Sequence, residues 1–225
     1  MILGIDTSAG TTVAVVDPDG VVRAEAASAD PLRHAEAIGT LLARALADAA
    51  ATAAVGSVAP GTGSAVTHVA AGMGPGPFTG LRIGIAAARA FALARGIPVV
   101  PVVSHDAVAL ELLLHAALTD APAARFAVVT DARRRESAYT VYDGLDDDGL
   151  PVRATEPALA PRDELDARLA ELRAVRRDAT AIPGPMLALA AARALAAGRA
   201  TGPAEPLYLR SPDVTIARAP KRVTA

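Results

Sequence analysis

Short apolar segments rich in β-branched residues alternate with longer segments of helical period along the chain. Strands are predicted over residues 1–6, 11–17 and 21–27, with a turn at 18–20 between the last two. A helix is predicted from about Pro31 to Ala50, because apolar residues recur there at three- and four-residue spacing. Its apolar stripe consists of Leu32, Ala35, Ile38, Leu41, Leu42, Ala45, Leu46 and Ala49.

The remainder of the first half continues as strand, helix, strand and helix. The strands are predicted at 66–72 and 97–103. One helix runs from Thr79 to Arg95, stopped by glycine and proline at 96 and 98, and the other from about Ser104 to Leu118.

The second half repeats this order of elements. Three strands are predicted at 126–130, 137–143 and 150–157, a helix near Arg162–Ala174, a strand at 179–182 and a helix near Gly184–Ala197. This repeat predicts a duplicated α/β fold of the ribonuclease-H-like, actin-like kind, with two mixed sheets covered by helices. We expect an N-terminal subdomain at 1–103, a C-terminal subdomain at 104–203, and a tail at 204–225 that packs back in part and has a mobile end.

Composition narrows the classes of function. The chain is 52% hydrophobic, which is ample for a core, and its net charge of -2 provides no global field for nucleic acid. It has no cysteine, only 3% aromatic residues and a single lysine, Lys221, which disfavours thiolate metal sites, base-stacking surfaces and lysine-dependent phosphate loops. Without a basic leader or a long apolar run, the sequence predicts a cytoplasmic protein with no membrane segment.

Two hairpin turns stand where actin-like enzymes hold ATP. The first contains Asp6, Thr7 and Ser8 among small residues, which suits either a phosphate loop or a plain hairpin with side-chain-to-backbone hydrogen bonds. The second, "DARRRE", has Arg133, Arg134 and Arg135 in place of glycines, and we expect these bulky side chains to block a nucleotide phosphate.

The stretch "GPGPFTGLRIG" at 74–84 fits neither a Walker nor a dinucleotide loop, because Leu81 follows Gly80 and residue 79 is threonine. We expect Thr79 to cap the helix that follows. Small residues lie close to one side of this helix: Gly80, Gly84, Ala87, Ala88 and Ala92. They suit either tight packing on the protein's own sheet or docking of another protein's helix.

No catalytic, metal or cofactor site is predicted. The four histidines, His34, His68, His105 and His115, include no pair at helical i, i+4 spacing, and Ala109 stands four residues after His105. A metalloprotease would need such a pair, and no Ser-His-Asp arrangement is apparent. The acidic turn at 143–149 lacks the glutamate of a calcium loop and is interpreted as a solvated hairpin tip.

Several motifs together resemble the TsaB (YeaZ) family: "ILGIDTS", "GPGPFTGLRIG", "GIPVVPVVS", "DARRRE" and a late "YLR". Proteins of this family take part in making threonylcarbamoyladenosine at position 37 of tRNAs that read ANN codons. The resemblance spans most of the chain and departs at Pro77, where the family usually has serine.

The resemblance implies a non-catalytic scaffold or activator of the catalytic subunit TsaD, in an assembly joined by the ATPase TsaE. TsaD carries an H-x-x-x-H metal motif, of which His105 matches the first ligand and Ala109 replaces the second. The resemblance also implies that this chain docks on TsaD through its N-terminal helices and contacts tRNA only within the complex. Alone, the chain could form a homodimer. The implied interface comprises Leu32, Ala35, Ile38, Leu42, Thr79, Gly80, Gly84 and Ala88.

Two alternatives stay open on the sequence. Arg133, Arg134 and Arg135 suit either a solvated turn or a contact with tRNA phosphates or an acidic partner. The chain also suits a stand-alone ATP-dependent small-molecule kinase or ATPase of the actin-like superfamily.

Overall fold

The computed structural model describes residues 1–30, 33–56, 65–119, 124–200 and 202–210. In the first half the elements are β1 (Ile2–Asp6), β2 (Thr11–Val16), β3 (Val22–Ser28), α1 (His34–Gly56), β4 (His68–Gly72), α2 (Phe78–Arg95), β5 (Val99–Val102) and α3 (Ser104–Leu118). In the second half they are β6 (Phe126–Asp131), β7 (Glu136–Leu145), β8 (Pro151–Arg153), β9 (Ala158–Pro161), α4 (Leu165–Glu171), β10 (Val175–Asp178) and α5 (Gly184–Ala196).

Each half contains a mixed sheet of five strands. The first sheet has the order β3-β2-β1-β4-β5, with antiparallel pairing among β1 to β3 and parallel pairing of β4 with β1 and β5. The second has the order β10-β6-β7-β8, with β9 also paired to β7. Here β6 and β7 are antiparallel and β10 is parallel to β6. The repeat confirms the predicted duplicated α/β fold.

The layers follow from three apolar cores. Helices α1 and α2 lie side by side on one face of the first sheet, around Leu3, Ile5 and Leu81. Helices α3 and α5 fill the space between the two sheets, where Leu110 and Leu187 are fully buried. Helix α4 covers the outer face of the second sheet. Because α5 packs on β1 and β2, the last helix of the second half completes the core of the first.

Four features of the chain differ from the sequence-based expectations. Helix α1 continues to Gly56, and the predicted strand at 150–157 is instead the short β8, followed by the separate β9. Helix α4 is shorter than predicted. The strand predicted at 179–182 is wrong: the strand is β10, whose four residues are all exposed and carry no apolar signal. Leu32 and residues 211–225 lie outside the described residues.

Candidate functional site

The turn between β1 and β2 is held inside the protein rather than presented to solvent. The Asp6 carboxylate accepts hydrogen bonds from the Ser104 hydroxyl at 2.5 Å and from the Ser8 backbone N–H at 2.6 Å. The Ser104 hydroxyl also accepts the N–H of Gly74 at 3.0 Å, which joins the turn to the loop before α2. Asp6 and Thr7 are each only 1% exposed. These contacts are those of a structural hairpin, and the phosphate-loop role of Asp6, Thr7 and Ser8 stays a prediction.

The environment of Asp6 favours its neutral form. Burial raises the pKa of the Asp6 carboxyl, and hydrogen bonds from Ser104 and Ser8 oppose that rise. A carboxyl held in this way is a poor ligand for the magnesium of a nucleotide, because it would first have to leave its hydrogen bonds.

The glycines around the GPGPFTG loop are explained by close contact with this turn. A Cβ on Gly76 would lie 2.7 Å from the Cα of Ser8, and a Cβ on Gly80 would lie 2.7 Å from the carbonyl oxygen of Thr7. A side chain at either position would force the loop and the hairpin apart. The stretch is therefore shaped to pack against the β1–β2 turn.

Three residues of the predicted interface are turned inward, which corrects that assignment. Gly80, Gly84 and Ala88 are buried on the side of α2 that faces the first sheet, so they are closed to a partner in this structure. The tight-packing alternative explains their small size. The cap prediction for Thr79 is also wrong, because Pro77 occupies the N-cap position without a side-chain hydrogen bond, and Thr79 is exposed one residue into the helix.

The other predicted interface residues lie on α1. Ala35 is exposed, whereas Ile38 and Leu42 are half-buried against the core of the first sheet. The exposed residues of α1 include small ones four apart, Ala35, Gly39, Ala43 and Ala47. A neighbouring exposed column is polar and consists of Glu36, Thr40, Arg44 and Asp48. The sequence pattern does not predict the exposed column of small residues, because the larger apolar residues of α1 lie on its buried side.

Helix α2, which contacts α1, also exposes small residues. Ala86, Ala90 and Ala94 are exposed among the exposed Arg82 and Arg89, and Leu93 is 84% exposed near the C-terminal end of the helix. We call these outward faces of α1 and α2 together the helix-pair face. It joins two adjacent helices on one side of the first sheet.

His105 is a buried residue of the core between the sheets. Its Nδ1 lies 2.9 Å from the Thr140 hydroxyl and its Nε2 lies 2.9 Å from the Thr130 hydroxyl. Burial lowers the pKa of His105 to about 3, so the ring is neutral at physiological pH. Ala109, four residues on, is also fully buried. Among the described residues no group of three or more histidine, aspartate or glutamate side chains is arranged to hold a metal ion.

The turn between β6 and β7 has an unusual backbone. Arg133, Arg134 and Arg135 have φ values of 62°, 49° and 61°, so three successive non-glycine residues adopt the left-handed conformation. The Asp131 carboxylate holds the turn by accepting the N–H of Arg133 at 2.8 Å and a guanidinium N–H of Arg162 at 2.5 Å. We call residues 133–135 the arginine turn.

A cavity of about 630 Å³ lies between the arginine turn and the start of α2. The segment at 206–210 forms a third wall and ties the two halves together. The Leu207 N–H donates to the Met73 carbonyl oxygen at 2.8 Å, and Arg210 forms an ion pair with Glu136 beside the arginine turn. The lining residues include His34, Pro77, Phe78, Asp131, Arg133, Arg134, Leu159, Tyr208 and Arg210.

Comparisons with known proteins match both halves of the chain. A family model described as TsaD, tRNA N6-adenosine threonylcarbamoyltransferase, matches residues 15–152. An uncharacterized protein of Mycobacterium bovis is 37% identical over 221 residues, covering 94% of this chain and 92% of its own length. Two solved structures from Pseudomonas aeruginosa are each 26% identical and cover 99% of their own chains. One, described as YeaZ, has a TM-score of 0.67 over 92% of this chain. The other, described as an uncharacterized protein with similarity to peptidase YeaZ, has a TM-score of 0.69 over 93%. In the part of the chain that the structure describes, no helix meets the length and hydropathy needed to cross a bilayer.

Proposed function

Since the chain belongs to the TsaD family of threonylcarbamoyltransferase domains, on its YeaZ (TsaB) branch, we propose that it is the non-catalytic scaffold and activator of a separate TsaD subunit. The family and the solved YeaZ structures support involvement in threonylcarbamoyladenosine modification of tRNA. The finer proposal is that TsaD transfers the threonylcarbamoyl group to adenosine 37, and that this chain holds TsaD in its active form.

The state of the two sites that carry chemistry in related enzymes supports a non-catalytic role. At the position that would hold the metal, both ring nitrogens of His105 are hydrogen-bonded to threonine hydroxyls. Ala109 has no atom that could bind a metal. At the first hairpin, the Asp6 carboxylate oxygens already accept hydrogen bonds from Ser8 and Ser104. Either site would have to break several buried hydrogen bonds before it could bind a metal or a phosphate, each at a cost of about 1–3 kcal/mol.

The observation that carries the proposal is the helix-pair face. Exposed small residues on adjacent helices allow the backbone of another helix to approach closely, and the exposed Leu93 offers an apolar anchor. We propose that helices of TsaD dock here, in place of the buried Gly80, Gly84 and Ala88. A specific interface of this kind buries roughly 1,200–2,000 Å² in total.

Substitutions on the two helices test this assignment. A Cβ added at Gly39 has open space around it, so Gly39→Arg places a bulky charge on the face without disturbing the fold. Ala90→Arg does the same on α2, and Ala170→Arg on the exposed side of α4 is the matched control. Mixed with TsaD from the same source on a size-exclusion column, G39R and A90R should fail to co-elute, while A170R and the parent chain should form a one-to-one complex. Co-elution of G39R and A90R at parent levels would refute the assignment.

We propose that the same face also mediates self-association of the chain alone. In the absence of TsaD, two copies would cover their helix-pair faces against each other, and light scattering would report a dimer. We expect G39R to be a monomer at concentrations where the parent chain is a dimer. A dimer that persists in both G39R and A90R would place self-association on another surface.

The arginine turn is a candidate contact for tRNA phosphates within the full assembly with TsaD and TsaE. Its three arginine residues are exposed. Phosphate contacts contribute affinity in a salt-dependent way, so the triple alanine variant should weaken tRNA binding by the complex and reduce its salt dependence. Unchanged tRNA affinity at low and high salt would exclude this role.

The rival function is a stand-alone ATP-dependent small-molecule kinase or ATPase. It predicts stoichiometric binding of Mg-ATP by the isolated chain, measured by isothermal titration calorimetry. The buried contacts of Asp6, Thr7 and Ser8 weigh against it, because this turn would have to open to cradle a phosphate.

A further inference from the structure

Residues 202–210, which we call the strap, run from the edge of the first sheet to the cleft between the two halves. The strap begins beside β5, where a Cβ on Gly202 would lie 3.1 Å from the carbonyl oxygen of Pro101. Its last residues, Tyr208, Leu209 and Arg210, line the cavity of about 630 Å³ beside the arginine turn. The other walls of this cavity are continuous with α2 and with the second sheet, so the strap is the wall that can move while both sheets stay intact.

Backbone groups attach the strap to the first half. The Leu207 N–H donates a hydrogen bond to the Met73 carbonyl oxygen at 2.8 Å. The Arg89 guanidinium donates to the Ala204 carbonyl oxygen at 2.9 Å. Water can replace either partner once the strap lifts, so breaking these bonds has only a modest net cost.

An aromatic contact holds the strap beside the first turn of α2. The rings of Tyr208 and Phe78 pack with their centroids 4.7 Å apart. The Arg82 guanidinium lies 3.8 Å from the centroid of the Phe78 ring and donates to the Tyr208 hydroxyl at 3.1 Å. Tyr208 nevertheless remains 38% exposed, so this contact lies at the surface and not in one of the cores.

Arg210 carries the strap across the cleft to the second half. It forms an ion pair with Glu136, the first residue of β7. The side chains of the two residues are 34% and 31% exposed, so water screens the attraction between them. The contact that joins the strap to the far side of the cleft is therefore a weak one.

The burial of the strap differs from that of the helix before it. All nine residues of the strap are half-buried or exposed, whereas most of α5 lies in the core between the two sheets. Segments that bury little apolar surface and make few backbone hydrogen bonds open at a lower free energy than the whole protein unfolds. The strap meets both conditions, so it can detach while α5 stays in place.

We propose that the strap is a latch that closes the cleft and opens it by detaching from a protein that is otherwise folded. Detachment removes the Tyr208 wall of the cavity and exposes the Phe78 ring. The ion pair of Arg210 with Glu136 sets how often the strap opens, because it joins the strap to the opposite side of the cleft. This device is a property of the isolated chain and does not depend on the proposed docking of TsaD.

A tryptophan in the strap reports its detachment. The chain contains no tryptophan, so Tyr208→Trp gives a single fluorophore that keeps an aromatic ring against Phe78. Urea unfolding of the full-length variant would be followed by tryptophan fluorescence and by far-UV circular dichroism. We expect the fluorescence transition at lower urea than the circular dichroism transition, because the ring leaves Phe78 before the sheets unfold. Coincident transitions would overturn the proposal.

Hydrogen exchange measured by mass spectrometry tests the same opening without a tryptophan. In the parent chain, peptides from 202–210 should exchange faster than peptides from α5. E136Q and R210Q should each speed exchange of the strap roughly two- to fivefold, the equivalent of an exposed ion pair, and leave α5 unchanged. The double variant should exchange no faster than the faster single variant, because both changes remove the same pair.

E205Q is the matched control, since it removes a carboxylate from an exposed position of the strap itself. It should exchange as the parent does. Exchange of the strap as slow as that of α5, or an equal effect of E205Q and E136Q, would refute the proposal. Unchanged exchange of α5 in every variant shows that the core remains folded.

Discussion

The hydroxyl of Thr7 bridges one turn of helix α2 at the position of Gly84. It donates to the carbonyl oxygen of Gly80 at 2.7 Å and accepts the N–H of Gly84 at 3.1 Å. A Cβ on Gly84 would lie 2.2 Å from that hydroxyl oxygen. The small residues that make α2 look like a docking helix in the sequence are therefore required by the β1–β2 turn beneath it.

Gly84→Ala should destabilise the protein by about 1–3 kcal/mol, because the added methyl group overlaps a short, buried side chain that has no room to move. Gly39→Ala is the matched control, since its Cβ meets no atom within 4 Å and alanine favours the helix by up to about 1 kcal/mol. Urea unfolding of both variants measures the difference. Equal stability of the two would show that Gly84 does not contact Thr7 in this way.

Arg153→Met should cost about 3–5 kcal/mol in the free energy of unfolding at neutral pH. Arg153 donates to both carboxylate oxygens of the buried Asp106, at 2.8 and 2.6 Å, and the Tyr142 hydroxyl donates to one of them at 2.7 Å. Removing the guanidinium leaves a buried carboxylate without its counter-ion. Arg176→Met on the exposed strand β10 is the control, with an expected loss below about 1 kcal/mol.

The same variant should show a pH dependence of a definite sign. Burial raises the pKa of Asp106, and its hydrogen bonds and charge interaction with Arg153 oppose that rise. Without Arg153 the pKa rises further in the folded state, so stability is lost as pH increases through the folded pKa. The deficit of Arg153→Met relative to the parent chain should therefore shrink toward acid pH. A deficit that is constant with pH would contradict this account.

His105 should make the protein sensitive to acid. Its pKa of about 3 in the folded state lies below the unfolded value near 6.5, so its contribution to stability is complete above about pH 6.5 and is lost as pH falls toward 3. His105→Gln should be less stable than the parent at pH 7.5 but should lose stability less steeply between pH 6.5 and 5. Parallel slopes in urea titrations of the two proteins would show that His105 does not titrate on unfolding.

Arg134→Gly should be more stable than Arg134→Val by about 1–2 kcal/mol, because glycine adopts the left-handed backbone at this position without steric cost. Arg134→Val should lower stability, because a β-branched residue tolerates φ near 49° poorly. Thermal melts of the two variants give the comparison. A gain for valine over glycine would mean that residue 134 does not hold this conformation.

The order of elements could be predicted from the sequence because most of them bury an apolar side. Helix α3 has the predicted limits, Ser104 to Leu118, since the buried strand β5 ends just before it and most of the helix is itself buried. Strand β10 could not be found, because Val175 to Asp178 pair with β6 through backbone groups while every side chain is exposed. The strand therefore exists because of its backbone pairing with β6, and no local sequence pattern encodes that pairing.

The candidate site was less predictable than the fold. A run of small residues on α2 indicates that another backbone approaches closely, but it does not show which segment does so. In the structure that segment is the β1–β2 turn at Thr7. Gly39 and Ala90 offered no signal of their own, because an exposed alanine or glycine is ordinary on a helix. The cavity beside Arg133 depends on contacts between Tyr208 and Phe78, which are remote in sequence.

Reconstitution of tRNA modification tests the scaffold proposal most directly. TsaD and TsaE from the same source, with ATP, the threonylcarbamoyl donor and an ANN-reading tRNA, would be assayed for threonylcarbamoyladenosine with and without this chain. The account predicts modification only when this chain is present, and its loss when G39R or A90R replaces the parent while A170R sustains it. Full modification without this chain would contradict the proposal.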